Sequence, residues 1–171
     1  MALRNIMTEG EPCLGKHCRP VTSFDERLHT LLDDMAETLR RSDSVGLAAP
    51  QVGILRRAVL VLETNVPEGE EDYIIELINP EIIERSGSQT EPEGCLSVPG
   101  VYGMVERPDY VKVRAQNRDG ETFEVEGTGL TARCFCHELD HLEGILFTEK
   151  AEHILSDEEL DEYYNSKHGE N

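Results

Sequence analysis

Apolar positions recur with a helical period between Phe24 and Leu39. Phe24, Leu28, Leu31, Leu32, Met35 and Leu39 fall on one stripe, and the opposite face is charged. Ser23 and Glu26 form an S-x-x-E capping box at the start of this run, so the pattern predicts a surface helix that buries one stripe. Ala58–Leu62 is a continuous apolar run, and Tyr73–Asn79 is a second strand, with an acidic loop holding Pro67 and Gly69 between them. Val111, Val113 and Ala115 alternate with polar residues, as do Phe123 and Val125, and Asp119-Gly120 between the two runs signals a hairpin turn. A second helix is predicted from about Leu130 to Leu142, stopped by Gly144. An acidic third helix is predicted near Asp157–Tyr164, whereas Met1–Thr22, punctuated by Gly10, Pro12, Gly15 and Pro20, reads as irregular. The expected fold class is α+β: short antiparallel strands and hairpins packed around a central helix, with an N-terminal amphipathic helix and a C-terminal helix. No repeat or linker interrupts the pattern, so residues 1–171 are expected to form a single domain, with 155–171 as its acidic C-terminal helix or tail.

Charge narrows the range of partners. Lys and Arg total 16 against 35 Asp and Glu, a formal net charge of −19, which argues against direct nucleic-acid binding and against attraction to anionic membranes. No apolar run approaches the roughly 20 residues of a membrane span. Met1–Gly10 lacks the apolar core of a secretory signal and does not look like a transit peptide. The expected location is the cytoplasm, where the five Cys would be free thiols or ligands and not a disulfide framework.

The sharpest chemical signal is His137-Glu138-Leu139-Asp140-His141. On a helix, residues four apart share a face, so both imidazoles can reach one divalent ion, and Glu138 can reach a water bound to it. Such an ion makes bound water acidic enough to yield hydroxide near neutral pH, and a carboxylate takes the proton. An amphipathic helix carrying two incidental imidazoles is the bland alternative. A catalytic site of this kind needs a third protein ligand. In the H-E-x-x-H-x-x-G-x-x-H pattern Gly144 matches, but Phe147 stands where the last His would be. Glu158, Glu159 and Glu162 offer a downstream carboxylate, as in some zinc peptidases. Cys95, in the polar stretch Glu93-Gly94-Cys95-Leu96-Ser97, offers a soft thiolate suited to zinc or ferrous iron. Asp140, by helical phase, faces away from the two His and reads as a surface or capping residue.

Three segments taken together resemble peptide deformylase: SVGLAAPQ at 44–51, EGCLS at 93–97 and HELDH at 137–141, in the family's order and spacing, with GLTAR at 129–133 and HLEGILF at 141–147 as supporting context. The resemblance implies a hydrolase that removes the N-formyl group from the formyl-methionine of nascent chains and releases formate. It implies that Cys95, His137 and His141 ligate one divalent ion, ferrous iron in the cell with zinc, nickel or cobalt as substitutes. Glu138 would be the general acid–base, and the Gln51 side-chain amide and the Leu96 N–H would donate to the oxyanion. Val45, Gly46, Gly94, Leu130, Arg133 and Cys134 would bind substrate, with Gly46 on its backbone and Cys134 and Gly94 walling the methionine pocket. Glu93 and Arg107 would form an ion pair behind the ligands. Ser44 stands where the family usually has Gly, and Cys136 where it usually has Gln. Cys136 reads as a packing residue, and a second metal site at Cys13, His17 and Cys18 is not expected. Residues Glu152–Glu162 hold six acidic groups and no Lys or Arg, which argues against docking on ribosomal RNA through a basic C-terminal helix. Nothing in the pattern demands more than a monomer. A catalytically silent, metal-stabilised binding module is the reading from another class, and it would have no need of Glu138 and Gln51.

Overall fold

A computed structural model describes residues 2–168. Three helices, α1 (Glu26–Arg40), α2 (Gly129–Leu142) and α3 (Asp157–His168), are combined with eight strands. These are β1 (Gly46–Ala48), β2 (Ala58–Glu63), β3 (Tyr73–Ser86), β4 (Gln89–Cys95), β5 (Val98–Arg107), β6 (Tyr110–Gln116), β7 (Thr122–Thr128) and β8 (His153–Leu155). An antiparallel five-stranded sheet runs in the order β1-β2-β3-β6-β7, and a smaller one runs β4-β5-β8.

The continuous apolar run of β2 follows from its position, since both of its faces are covered. Val59 and Val61 pack with Ala132, Phe135 and Cys136 of α2, while Ala58 and Leu60 pack with Leu32, Met35 and Leu39 of α1. The large sheet therefore lies between the two helices, and α2 is enclosed again on its far side by the small sheet and its cluster of Val98, Val105 and Phe147. That enclosure buries every residue from Thr131 to Leu139. A helix hidden on nearly all sides is how His, Glu and Arg side chains come to lie in a dry interior.

Several expectations shift at their edges. The N-cap of α1 is Asp25, whose side chain accepts the Leu28 N–H at 3.2 Å, and not Ser23. Glu26 is then the first helical residue and cannot close a capping box. Phe24 lies outside the helix against the β6–β7 hairpin, where a Cβ on Gly120 would meet its ring at 3.3 Å. Strand β3 runs seven residues beyond Asn79, so the strands are not all short. The Asn-Pro pair that suggested an end is a bulge: the register shifts between Ile78 and Glu81, and Asn79 takes φ of 51°. Its amide brackets Val21, accepting from the N–H at 2.8 Å and donating to the carbonyl at 2.9 Å, while Pro80 has no N–H to lose. Gly144 ends α2 with φ of 74°, and a Cβ there would lie 2.6 Å from the Gly15 carbonyl carbon. The 155–171 tail begins one strand residue early, with Leu155 in β8, and residues 169–171 of it lie outside the described residues. Among the described residues, no helix is long and apolar enough to cross a membrane.

Candidate metal and active site

Helix α2 sets His137 and His141 one turn apart, and the β4–β5 hairpin delivers Cys95 to them. Cys95 and Val98 pair across a two-residue turn formed by Leu96 and Ser97. His141 Nε2 lies 3.3 Å from His137 Nε2 and 3.4 Å from Cys95 Sγ. Among the described residues this is the one group of three or more His, Cys, Asp or Glu whose donor atoms converge. Three donors from two elements share one centre, with a thiol and two imidazoles as a soft set suited to iron or zinc. The alternative third ligands are elsewhere: Glu159 holds His153 at 2.5 Å, and neither it, Glu158 nor Glu162 joins the cluster. Cys13, His17 and Cys18 likewise form no such group. Cys18 is core, and His17 bonds Glu143 at 2.9 Å. Cys136 is buried core, as its helical phase implied.

Behind the donors sits a buried ion network. Glu93 accepts from Arg107 Nη2 at 2.6 Å, from Arg133 Nη1 at 2.8 Å and from His137 Nδ1 at 2.6 Å. Burial alone would raise the Glu93 pKa. The hydrogen bonds from His137 and Arg107 overcome that and hold it far below the usual carboxylate range. An ionised Glu93 keeps the His137 proton on Nδ1, so Nε2 turns its lone pair to the shared centre. Burial depresses the His141 pKa and favours the neutral imidazole that a metal requires. Arg107 also reaches Asp140 at 2.7 Å, and Lys150 reaches the same carboxylate at 3.0 Å. Asp140 does point away from the His pair, but it belongs to this network and is not a free surface residue. Arg133 borders the cavity, yet its guanidinium is committed to Glu93 and to the Val105 carbonyl at 2.9 Å. These bonds hold Glu93 in place, while the buried Arg133 Nε has no hydrogen-bond partner.

Glu138 is buried beside the cluster, with Oε1 4.0 Å from His141 Nε2 and no hydrogen-bond partner. Burial is the main reason its pKa rises to about 7, and the negative charge of Glu93 adds to the rise. An unpartnered carboxylate oxygen deep beside three converging donors is what a bound cation with its water would complete.

Strand β1 supplies the opposite wall. Leu62 donates its N–H to the Val45 carbonyl at 2.7 Å, and Gly46 lies opposite Val61. By the alternation of an antiparallel ladder, the Gly46 N–H and C=O then face outward, along the free edge of the sheet. Ser44 Oγ touches both, at 3.3 and 3.0 Å, so the residue that departs from the family pattern caps this edge. The next outward N–H, that of Ala48, donates to Gln51 Oε1 at 2.9 Å. This bond fixes the amide and aims Gln51 Nε2 at Cys95 Sγ, 3.5 Å away, and at Ser97 Oγ, 3.2 Å away. Gly46 must lack a side chain, because a Cβ there would overlap Glu138 Oε2 and lie 2.7 Å from Cys134 Sγ. A cavity of about 530 Å³ opens over these groups. Val45, Gly46, Gly94, Leu130, Arg133 and Cys134 border it, as do Gln51, Leu96, Cys95 and Glu138. His141 and Arg107 lie behind it.

Ser97 is a site residue that sequence reasoning passed over, and Asp140 is one that it read as a surface or capping residue. Ser97 is fully buried, and its carbonyl accepts the Glu9 N–H at 2.8 Å, while Met7 N–H reaches the Gln51 carbonyl at 2.7 Å. The irregular N-terminal segment thus ties the two site loops together. The only signal for Ser97 was its place in EGCLS.

The polypeptide deformylase family model matches residues 3–156. A peptide deformylase of Alkaliphilus metalliredigens is 57% identical over 150 residues, 88% of this chain and 97% of that protein. Peptide deformylase 1 of Bacillus subtilis is 49% identical over 160 residues, 94% and 97% respectively. The crystal structure of a peptide deformylase from Legionella pneumophila superposes with a TM-score of 0.80 at 39% identity, covering 97% of this chain and 98% of that one.

Proposed function

The chain belongs to the polypeptide deformylase family, enzymes that remove the N-formyl group from nascent peptides, and from that premise we propose a metal-dependent hydrolysis run by Glu138, Gln51 and the Leu96 N–H. The observation that carries it is the convergence of Cys95 Sγ and two imidazole nitrogens next to the unpartnered Glu138 oxygen. Cys95, His137 and His141 would hold one divalent ion, ferrous iron in the cell with zinc, nickel or cobalt able to replace it. When bound, that ion polarises the formyl oxygen and lowers the pKa of water.

The remaining steps belong to side chains of this chain. The outward N–H and C=O of Gly46, on exchanging Ser44 Oγ for substrate, pair with the substrate backbone, which then lies as a further strand along the edge of β1. The methionine side chain enters the recess between Val45, Leu130, Cys134 and Gly94. Glu138 takes a proton from water as its oxygen bonds to the formyl carbon, and returns it to the amine nitrogen as the C–N bond breaks. Formate and a free amino terminus leave. The Gln51 amide, held by the Ala48 N–H, and the Leu96 N–H donate to the oxygen that becomes negative in the transition state. On this reading the Gly46 edge, where even a methyl would overlap Glu138 Oε2, favours a formyl group over larger acyl groups.

The acidic residues of α3 support the expectation that this helix does not dock on RNA. The test of the mechanism is Glu138→Gln. It is expected to keep one metal ion and the native fold and to lose about 10²- to 10⁴-fold in formate release from formyl-Met-Ala-Ser. Cys95→Ala is expected to lose the ion. A Glu138→Gln variant retaining more than a tenth of wild-type kcat would overturn the assignment.

A further inference from the structure

Helix α3 lies beyond the residues 3–156 that match the family, yet it borders the cavity through Tyr164. The strand before it explains why. β8 adds to the edge of β5, with Leu155 opposite Tyr102, and the chain turns from there back over β4. Two contacts fasten the helix to β4, the strand that ends at Cys95. Tyr163 donates its hydroxyl to Glu91, and Lys167 Nζ lies 3.3 Å from the same carboxylate. The rings of Tyr163 and Tyr164 meet edge to face at 5.7 Å, so anchoring the first orients the second.

Tyr164 is not alone at this rim. Tyr102, whose ring would lie 2.6 Å from a Cβ on Gly94, and Leu130 border the same cavity. All three belong to the few large apolar side chains left exposed, at 45%, 39% and 51%. Exposed apolar groups gathered on one opening are what a binding surface presents.

We propose that α3 is a fixed wall of the peptide groove and that Tyr164, with Tyr102, forms a subsite for an apolar or aromatic side chain beyond the formyl-methionine. The proposal rests on the deformylase reading for its substrate, but not for the existence of the subsite. An aromatic contact of ordinary strength corresponds to about two- to tenfold in affinity. The wild-type enzyme is expected to favour formyl-Met-Ala-Phe or formyl-Met-Phe-Ser over formyl-Met-Ala-Ser by about three- to tenfold in kcat/KM, expressed in KM. Tyr164→Ala should bring that ratio to within twofold of unity while kcat on formyl-Met-Ala-Ser stays within twofold of wild type. Tyr163→Phe, which removes one of the two contacts that fasten the helix and keeps the Tyr164 side chain, should lower the ratio part of the way. Calorimetry with the deformylated peptides Met-Ala-Phe, Met-Phe-Ser and Met-Ala-Ser gives a readout that needs no turnover. A preference that survives Tyr164→Ala, or is absent in wild type, refutes the subsite. If the preference appears in calorimetry and no formyl peptide is cleaved, the subsite stands and the catalytic reading falls.

Discussion

Glu93→Gln removes one negative charge from a buried cluster in which that charge answers three donor side chains. In the wild type its two oxygens take four hydrogen bonds: Arg107 Nε at 3.2 Å, Arg107 Nη2 at 2.6 Å, Arg133 Nη1 at 2.8 Å and His137 Nδ1 at 2.6 Å. A glutamine offers one acceptor oxygen and an NH₂ that must face at least one of these donors. Breaking a buried pair from one side typically costs about 3–5 kcal/mol. Here Arg107 keeps Asp140 at 2.7 Å, whereas Arg133 keeps only backbone carbonyls, so the lower end, about 3 kcal/mol, is the expected loss. For a chain of this size that is a fall of roughly 6–12 °C in Tm. His137 also loses the anion that fixes its tautomer, and metal affinity should fall about 10- to 100-fold. Thermal unfolding with and without chelator, plus competition against a zinc indicator, measures both. Adding Arg133→Met removes the uncompensated charge and should recover part of the stability but none of the metal affinity. A loss below about 1 kcal/mol with unchanged affinity would refute the claim that this network, and not the helix alone, holds the ligands.

Two other perturbations probe different parts of the molecule. Gly46→Ala drives a methyl onto Glu138 Oε2 and Cys134 Sγ. It should cost about 1–3 kcal/mol in urea unfolding and most of the kcat on formyl-Met-Ala-Ser, and an active, equally stable variant would contradict the crowding. Asp34 accepts the Ala2 N–H at 2.8 Å and pairs with Arg4 at 2.9 Å. The Ala2 bond first, then Arg4 against the opposing effect of burial, hold its pKa below the usual value. A depressed carboxylate stabilises the fold above its unfolded pKa, near 4, and ceases to do so as pH falls below it. Asp34→Asn should therefore melt below wild type at pH 7, with the two curves converging as the pH falls below about 4; a gap that widens on acidification would oppose this.

How much of the site was readable in advance follows from distance along the chain. The two His and Glu138 sit within five residues on one helix, where the 3.6-residue period alone sets their faces. Cys95 is joined to them across 46 residues by the β4–β5 hairpin; its soft thiolate in a polar loop made it a better candidate than a downstream Glu, and the resemblance to a family fixed the choice. Asp140 shows the limit of phase arguments. The helix does turn it away from the metal donors, but Arg107 on β5 reaches round to it. Arg133 was placed against substrate by resemblance, and its geometry commits it to Glu93. The cap of α1 is a smaller case: Ser23 and Asp25 both have capping side chains, and the packing of Phe24 on the distant hairpin goes with the choice of Asp25.

The chain by itself determined what local periodicity can: a helix striped by Leu28, Leu31, Leu32, Met35 and Leu39, a strand with both faces apolar at Ala58–Leu62, a hairpin about Asp119-Gly120, and a pair of imidazoles sharing a helix face. Tertiary structure decided what depends on register between segments far apart. It brought the Cys95 thiol to those imidazoles, turned the Gly46 edge outward, pointed the Gln51 amide through the Ala48 N–H, and laid α3 beside the cavity. Local steric preferences act over a few residues, whereas the environment that shifts a pKa or gathers donors around one centre is assembled only when the sheets close over α2 and exclude water.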